Sequence, residues 1–266
     1  MGLFGVGNQV PTIFGGRNAI FGGRPVAAAP AGVVSECCLA FNGNNYVTCG
    51  DRFNFDHRSQ PCTISAWVKT SDETAKVVVA KTNTFGMMGY GLYVNSNGSG
   101  NSSGGVYFAT ASNATVIGVK STAPTNVNDG EWHHLACTID GSGTASGVTL
   151  YLDGSQLDKT IVSDNLAYST SNSYPFQVGA RDGTGLAIVG RIDDVRIYNR
   201  ALDSTEVAAL AANTANITTG MTARIAMEEG TGTTTEITDS TGATIATATL
   251  TGGPAWSTDV PAWLAP

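Results

Sequence analysis

From Cys38 onward the chain breaks into short segments in which apolar and polar residues alternate one for one, with turn residues between them. Ile64, Ala66 and Val68 share one side of a run whose other side carries Thr63, Ser65, Trp67 and Lys69. Leu135, Cys137 and Ile139 repeat the pattern, as do Val148, Leu150 and Leu152 against Thr149, Tyr151 and Asp153. A period of two belongs to the strand, where successive side chains point to opposite faces. Strands are predicted over 46–49, 63–69, 77–81, 91–95, 106–110, 116–120, 133–139, 148–153, 175–179 and 190–198. Many short strands at regular spacing predict an all-β fold, two antiparallel sheets packed as a sandwich. Asp153-Gly154 is a two-residue hairpin turn. One short helix follows the last of these strands, over 204–212. Asp203 caps it, Glu206 completes a capping box, and Leu202 and Val207 form the hydrophobic staple. Val207 and Leu210 should face the sandwich.

Composition narrows the class of partner. Of 266 residues 42% are apolar, enough for a sizeable core, but only 13% are charged. The net charge of −7 argues against nucleic acid and anionic membranes, which are held by clustered Lys and Arg. No apolar stretch approaches the roughly 18 residues that span a bilayer. The opening residues lack the charged and apolar regions of a secretory signal, and Val6 stands where a myristoylation motif has Ser or Thr. These features predict synthesis in the cytoplasm without export. The five cysteines, Cys37, Cys38, Cys49, Cys62 and Cys137, are odd in number and have no zinc-site spacing, so buried reduced thiols are expected.

Three regions follow. Residues 1–34 form an extended glycine-rich arm with a repeat, Ile13-Phe14-Gly15-Gly16-Arg17 and Ile20-Phe21-Gly22-Gly23-Arg24, too poor in apolar residues to build its own core. Its Phe4, Ile13, Phe14, Ile20 and Phe21 are expected to dock either on the chain's own sandwich or, as the favoured reading, on neighbouring subunits of a large assembly. Residues 35–212 make the sandwich. Residues 213–266 form a strand-rich tail that folds back on its own sandwich, pairs with a neighbour, or begins a second copy. Trp256 and Trp263 are its expected anchors.

The segments LAFNGNNYVTCGD, TISAWVKT, NDGEWHHLACTIDG, VTLYLDGSQL and FQVGARDGTG, with the closing GRIDDVRIYNRALDSTEVAAL, occur in the order of a known family. Over 38–212 the chain resembles the laminin G-like jellyroll domains of the concanavalin A-like lectin and glucanase group. The tail, with MTARIAMEEGTG and GATIATATLTGGPAW, resembles an element usually placed before such a jellyroll. The resemblance implies a jellyroll sandwich, a generic suggestion of glycan binding, and a calcium ion as the cofactor. Asp193 would be a calcium ligand, with Gly43 or Asn44 nearby. Read from the residues alone, Asp193 falls on the same face as Val195 and Ile197, so its carboxylate must ligate a cation or accept hydrogen bonds from loop amides.

Catalytic chemistry finds little support. Glucanases on this fold need two facing carboxylates, usually in a Glu-x-Asp-x-x-Glu-like strand, and that pattern is absent from the sequence. His57, His133 and His134 belong to no triad or metal motif, and NSNGSGNSSGG lacks the lysine and helix of a phosphate loop and reads as a loop. Glycan binding would use aromatic faces and polar loop residues. The candidates are Tyr90, Tyr93, Tyr107, Tyr151 and Trp67, with Asn95, Asn97 and Arg181. Together these features predict a non-enzymatic, oligomeric, adhesive β-sandwich of a bacteriophage particle (a capsid decoration, fibre or tail protein), anchored by its arm and binding cell-surface glycans. The alternative is a carbohydrate-binding module of a secreted, extracellular bacterial protein.

Overall fold

The computed structural model describes residues 34–83, 88–96, 98 and 101–262, without the side chains of 101–104. In chain order its strands are β1 (Cys38–Asn42), β2 (Tyr46–Thr48), β3 (Cys62–Lys69), β4 (Lys76–Thr82), β5 (Met88–Ser96), β6 (Asn101–Ser112) and β7 (Thr115–Ser121). There follow β8 (Trp132–Ile139), β9 (Val148–Leu152), β10 (Ser155–Gln156), β11 (Lys159–Asp164), β12 (Gln177–Val178) and β13 (Val189–Tyr198). After helix α1 (Ser204–Ala211) come β14 (Met221–Ile225), β15 (Thr234–Thr238), β16 (Thr244–Thr251) and β17 (Ala255–Ser257).

The strands pair antiparallel as one ribbon, β10-β9-β8-β3-β13-β14-β15-β16-β2-β12-β4-β5-β6-β7-β11. β1 lies along the first half of β13, and β17 along β1. Inward side chains from both halves of the ribbon meet in a single buried cluster. Ile64, Val68, Leu135, Cys137 and Ile192 come from one half, and Val79, Leu92, Val94, Phe108 and Val119 from the other. The ribbon therefore folds over itself into two facing layers. Each large apolar side chain in that cluster contributes about 1.5–3 kcal/mol through burial.

The outer faces are also partly covered. Helix α1 lays Val207 and Leu210 over Ala136, Tyr151 and Tyr198 of the first layer. Its capping box is present, with the Asp203 carboxylate accepting from the Glu206 amide. On the second layer Tyr93 and Tyr107 lie against Val77 and Ala80. The Asp153-Gly154 turn has positive φ at both residues (49° and 79°), the hairpin geometry that matches strand twist. Among the described residues no helix is long and apolar enough to cross a membrane.

Four differences from the sequence reading have physical causes. β1 is absent from the predicted strands because Cys38 and Leu39 are adjacent and both buried, which breaks the alternation. β11 was missed because it is an edge strand with Ile161 and Val162 adjacent, exposed at 50% and 40%, which breaks the alternation. Residues 101–105, read as loop from their Ser and Gly content, are the start of β6. The tail is no appendage: Ile225, Met227, Ile237, Ala248 and Leu250 belong to the same buried cluster as the sandwich. Its strands pair with β13, β2 and β1.

Candidate functional site

Burial decides the aromatic candidates. A ring can stack on a sugar only if its face reaches solvent. Tyr90 is 2% exposed, sits between the layers and donates its hydroxyl hydrogen to Phe53 O at 2.6 Å. Tyr151 and Trp67 are buried on the first layer, Tyr151 beneath α1 and Trp67 against His134, with ring centroids 5.2 Å apart. As sugar platforms these residues are corrected to packing residues. Tyr93 and Tyr107 do come together on the outer face of the second layer, centroids 5.7 Å apart, with the Arg181 guanidinium charge near Tyr93. Both rings are nonetheless under a tenth exposed. Asn95 is buried and donates to Asp72 O, and Asn97 lies outside the described residues. The arm residues Phe4, Ile13, Phe14, Ile20 and Phe21, like Trp263, also lie outside them. Trp256 is half-buried against the core and donates to Gly232 O.

The calcium pair separates. β13 carries a bulge between Asp193 and Arg196, with Asp194 at φ +44°. The extra residue reverses the alternation, so Ile192, Val195 and Ile197 all face the core and Asp193 turns to the outer face. There one carboxylate oxygen accepts from the Ser35 hydroxyl and the other from the Asp194 amide, both at 2.8 Å. Burial, then the neighbouring Asp194 charge, pushes the Asp193 carboxyl well above its ordinary value. Asn44 sits past the far end of the β1–β13 ladder, where Gly43 N meets Ile188 O, about 16 Å along the strand from Asp193. Asp193 and Asn44 therefore do not make one calcium site. Among the described residues no cluster of three His, Cys, Asp or Glu side chains is placed to hold a metal.

The bulge marks a fork. The first half of β13 pairs with β1 and the second half with β14. Buried Asp194 holds the junction, accepting from Arg196 of β13 at 2.7 Å and from Arg224 of β14 at 2.6 Å. Burial alone would raise the Asp194 carboxyl, but the two guanidinium groups outweigh it and hold it well below the usual carboxylate range.

Along the same outer face, register places Trp132, Lys69 and Arg191 in one row across β8, β3 and β13. Beside them opens a cleft of about 350 Å³ lined by Ala40, Phe41, Lys69, Thr70, Ser71, Gly130, Val189, Gly190 and Arg191. Gly190 is required there: a Cβ would lie 2.3 Å from Lys69 O. The Ser71 hydroxyl is exposed, whereas the Thr70 hydroxyl donates to Val189 O at 2.7 Å. Asp259, beyond β17, reaches this row. Its carboxylate accepts from Lys69 Nζ at 3.1 Å and Trp132 Nε1 at 3.3 Å, and forms an ion pair at 3.4 Å with Arg191 Nε, which donates to Ser257 Oγ at 3.2 Å. The arrangement can hold an oxygen-rich ligand by charge and hydrogen bonds, next to an indole. Sequence reading missed it because its members come from four distant segments. The available signals were Lys69 on the polar side of TISAWVKT and Trp132 in NDGEWHHL.

Residues 41–208, well over half of the chain, match the laminin G family of the concanavalin A-like lectin/glucanases superfamily. The chain belongs to that superfamily. Within it, the chain is similar to the "putative carbohydrate binding protein" of Bacteroides ovatus, whose crystal structure aligns with a TM-score of 0.59 at 15% identity. That alignment covers 86% of this chain and 62% of the Bacteroides protein, less than two thirds of its length. A heptameric SAP-like pentraxin from Limulus polyphemus aligns at TM-score 0.46 and 13% identity, over 66% of this chain and 82% of the pentraxin. In sequence the chain is 29% identical over 145 residues to adhesion G-protein coupled receptor V1 of Danio rerio. That stretch is 54% of this superfamily member and 2% of the receptor.

Proposed function

We propose that this chain is a non-catalytic, lectin-like binding module whose ligand is a glycan held in the cleft between Lys69–Ser71, Gly130 and Val189–Arg191. The observation that carries the reading is the cleft itself, open to solvent and lined by an ammonium, a guanidinium and an exposed hydroxyl, beside an indole. Such convergent polar groups next to an aromatic are what sugar hydroxyls and sugar faces require. Membership of a lectin-like superfamily and the likeness to the Bacteroides protein support it, and the missing carboxylate pair disfavours hydrolysis. The test is a glycan array probed with the full chain and with Lys69→Ala and Arg191→Ala. Binding that both variants weaken at least tenfold supports the reading. A blank array, or binding that neither variant changes, rejects it.

A second reading is favoured by the Ile-Phe-Gly-Gly-Arg repeat of the arm. In it the module is displayed on a bacteriophage particle as a homo-oligomer, with residues 1–34 gripping neighbouring subunits. Glycines let such an arm approach a partner closely while Phe and Ile fill crevices. Deleting residues 1–30 would then leave a folded sandwich that no longer enters particles. Normal incorporation of the truncated chain removes this reading and leaves the glycan site untouched.

A further inference from the structure

Groups from three strands converge on one carboxylate: Lys69 Nζ of β3 and Trp132 Nε1 of β8 donate to Asp259, and Arg191 Nε of β13, which donates to Ser257 Oγ at 3.2 Å, forms an ion pair with it at 3.4 Å. Two hydrogen bonds and two cations around one carboxylate are the surroundings of a bound acid group, here filled by the chain itself. The segment that brings it has few polar ties, although Pro261 is buried. Among the described residues no backbone–backbone hydrogen bond ties 258–262 to the sandwich. Besides the Asp259 carboxylate, Cys38 Sγ donates to Asp259 O at 3.2 Å and Asp259 N donates to Ser257 Oγ at 3.2 Å. The ion pairs are partly open to solvent, with Asp259 38%, Arg191 35% and Lys69 22% exposed, and pairs of that kind are weak enough to exchange. Lys69 and Arg191 also line the adjoining cleft, so a ligand there is within reach of the same donors.

We infer that the glycan taken by this cleft carries a carboxylate, as a uronic acid does, and that Asp259 occupies the carboxylate position until that ligand displaces it. The inference rests on the cleft being the glycan site. Local cations and the Trp132 indole N–H select the acid group, and the C-terminal segment acts as a built-in competitor. The net charge of −7 repels long polyanions at low salt, which favours a single carboxylate per site over densely sulfated polymers.

The experiment is calorimetric titration of the full chain, as wild type and as Asp259→Ala, with tri-galacturonate and with neutral galactotriose. The isosteric Asp259→Asn is measured alongside, in case the alanine variant loses melting temperature. The expected result is at least tenfold tighter binding of tri-galacturonate by the Asp259 variants, with galactotriose unchanged. Adding Arg191→Ala to Asp259→Ala should abolish the gain. Equal affinity of wild type and variants for tri-galacturonate overturns the inference, while the glycan reading survives if the array still shows binding that Lys69→Ala and Arg191→Ala weaken. A gain shared equally by galactotriose also overturns it, since the competitor would then not mimic an acid. Failure of every protein to bind either trisaccharide, together with a blank array, removes both.

Discussion

The histidines divide by environment, and the division fixes how stability depends on pH. His57 lies among the rings of Tyr90 and Phe108, with Nδ1 2.9 Å from the Thr110 hydroxyl, and burial lowers its pKa to about 4. His134 is lowered to about 4 as well, first by burial and then by Arg196. An unfolded chain protonates both near pH 6.5, whereas the native state does not until about pH 4. The unfolded state thus binds more protons across that window, and stability falls as pH drops through it, by up to about 3 kcal/mol for each histidine. His133 has the opposite sign. Its hydrogen bond to Asp153 at 2.8 Å raises its pKa against the cost of burial, with Asp129 at 3.1 Å adding to the rise. Its contribution is fully present below pH 6.5 and is lost as pH rises through the raised value. Urea unfolding from pH 8 to pH 4 should therefore show a decline below about 6.5. His133→Gln should lose a few tenths to about 1 kcal/mol on the acid side only. A flat wild-type profile would contradict the two buried neutral imidazoles. Asp194→Asn tests the fork, because it strands the Arg196 guanidinium, whose side chain is 4% exposed. A loss of about 3–5 kcal/mol in chemical unfolding is expected, against less than 1 kcal/mol for exposed Asp182→Asn. Alternation along the strand puts Asp193 on the core face with Val195 and Ile197, whereas the structure turns it to the outer face. A single inserted residue decides that, and a bulge leaves no mark in the alternation on either side of it.

Elements with regular alternation and clean ends were readable: β3, β8, β9, the 153–154 hairpin and the capped helix all stand where the residues placed them. Edge and fork elements were not, since their residues answer to neighbours distant in sequence. The tail is the main case. Its Thr-rich strands alternate weakly, yet β14 hydrogen-bonds to β13 from Val195↔Ile225 to Tyr198↔Met221, and β16 joins β15 to β2. These strands connect the two layers along one side of the ribbon. Removing them uncovers the edge of β13 and of β2 and leaves Arg196 and Asp194 without Arg224. It also strips Ile225, Met227, Ile237, Ala248 and Leu250 from the buried cluster, at about 1.5–3 kcal/mol for each large side chain. For the four large side chains that is about 6–12 kcal/mol, comparable to the roughly 5–15 kcal/mol by which a domain is ordinarily stable. A chain ending at residue 212 should therefore fail to show a cooperative thermal transition and should aggregate through its open edges. A soluble truncation with a sharp melt near that of the full chain would mean the sandwich closes without the tail. The cleft shares this dependence, because Asp259 is carried by β17, the strand that pairs with β1 beside it.

Closure of the whole ribbon can be followed through its thiols. All five cysteines are free, and they sample different depths: Cys62 and Cys137 lie in the central cluster, Cys49 near its rim, Cys38 on β1 under the C-terminal segment, and Cys37 is partly exposed. Burial raises every one of these thiols, to about 12 for Cys38 and Cys49, so the reactive thiolate is suppressed as well as shielded. A thiol reagent at pH 8 should label Cys37 first and slowly, then Cys38 once the 258–262 segment lifts. Cys49, Cys62 and Cys137 should react only through opening of the two layers. Because those three come from β3, β8 and the segment after β2, whose neighbours are tied together by the tail, they should react at one common rate. That rate should rise with urea along the global unfolding curve, while labelling of Cys38 stays nearly independent of urea at low concentration. Mass spectrometry of the labelled chain distinguishes the sites. Separate rates for Cys62 and Cys137 would show that the layers open piecemeal, and the single shared core inferred from their packing would have to be divided.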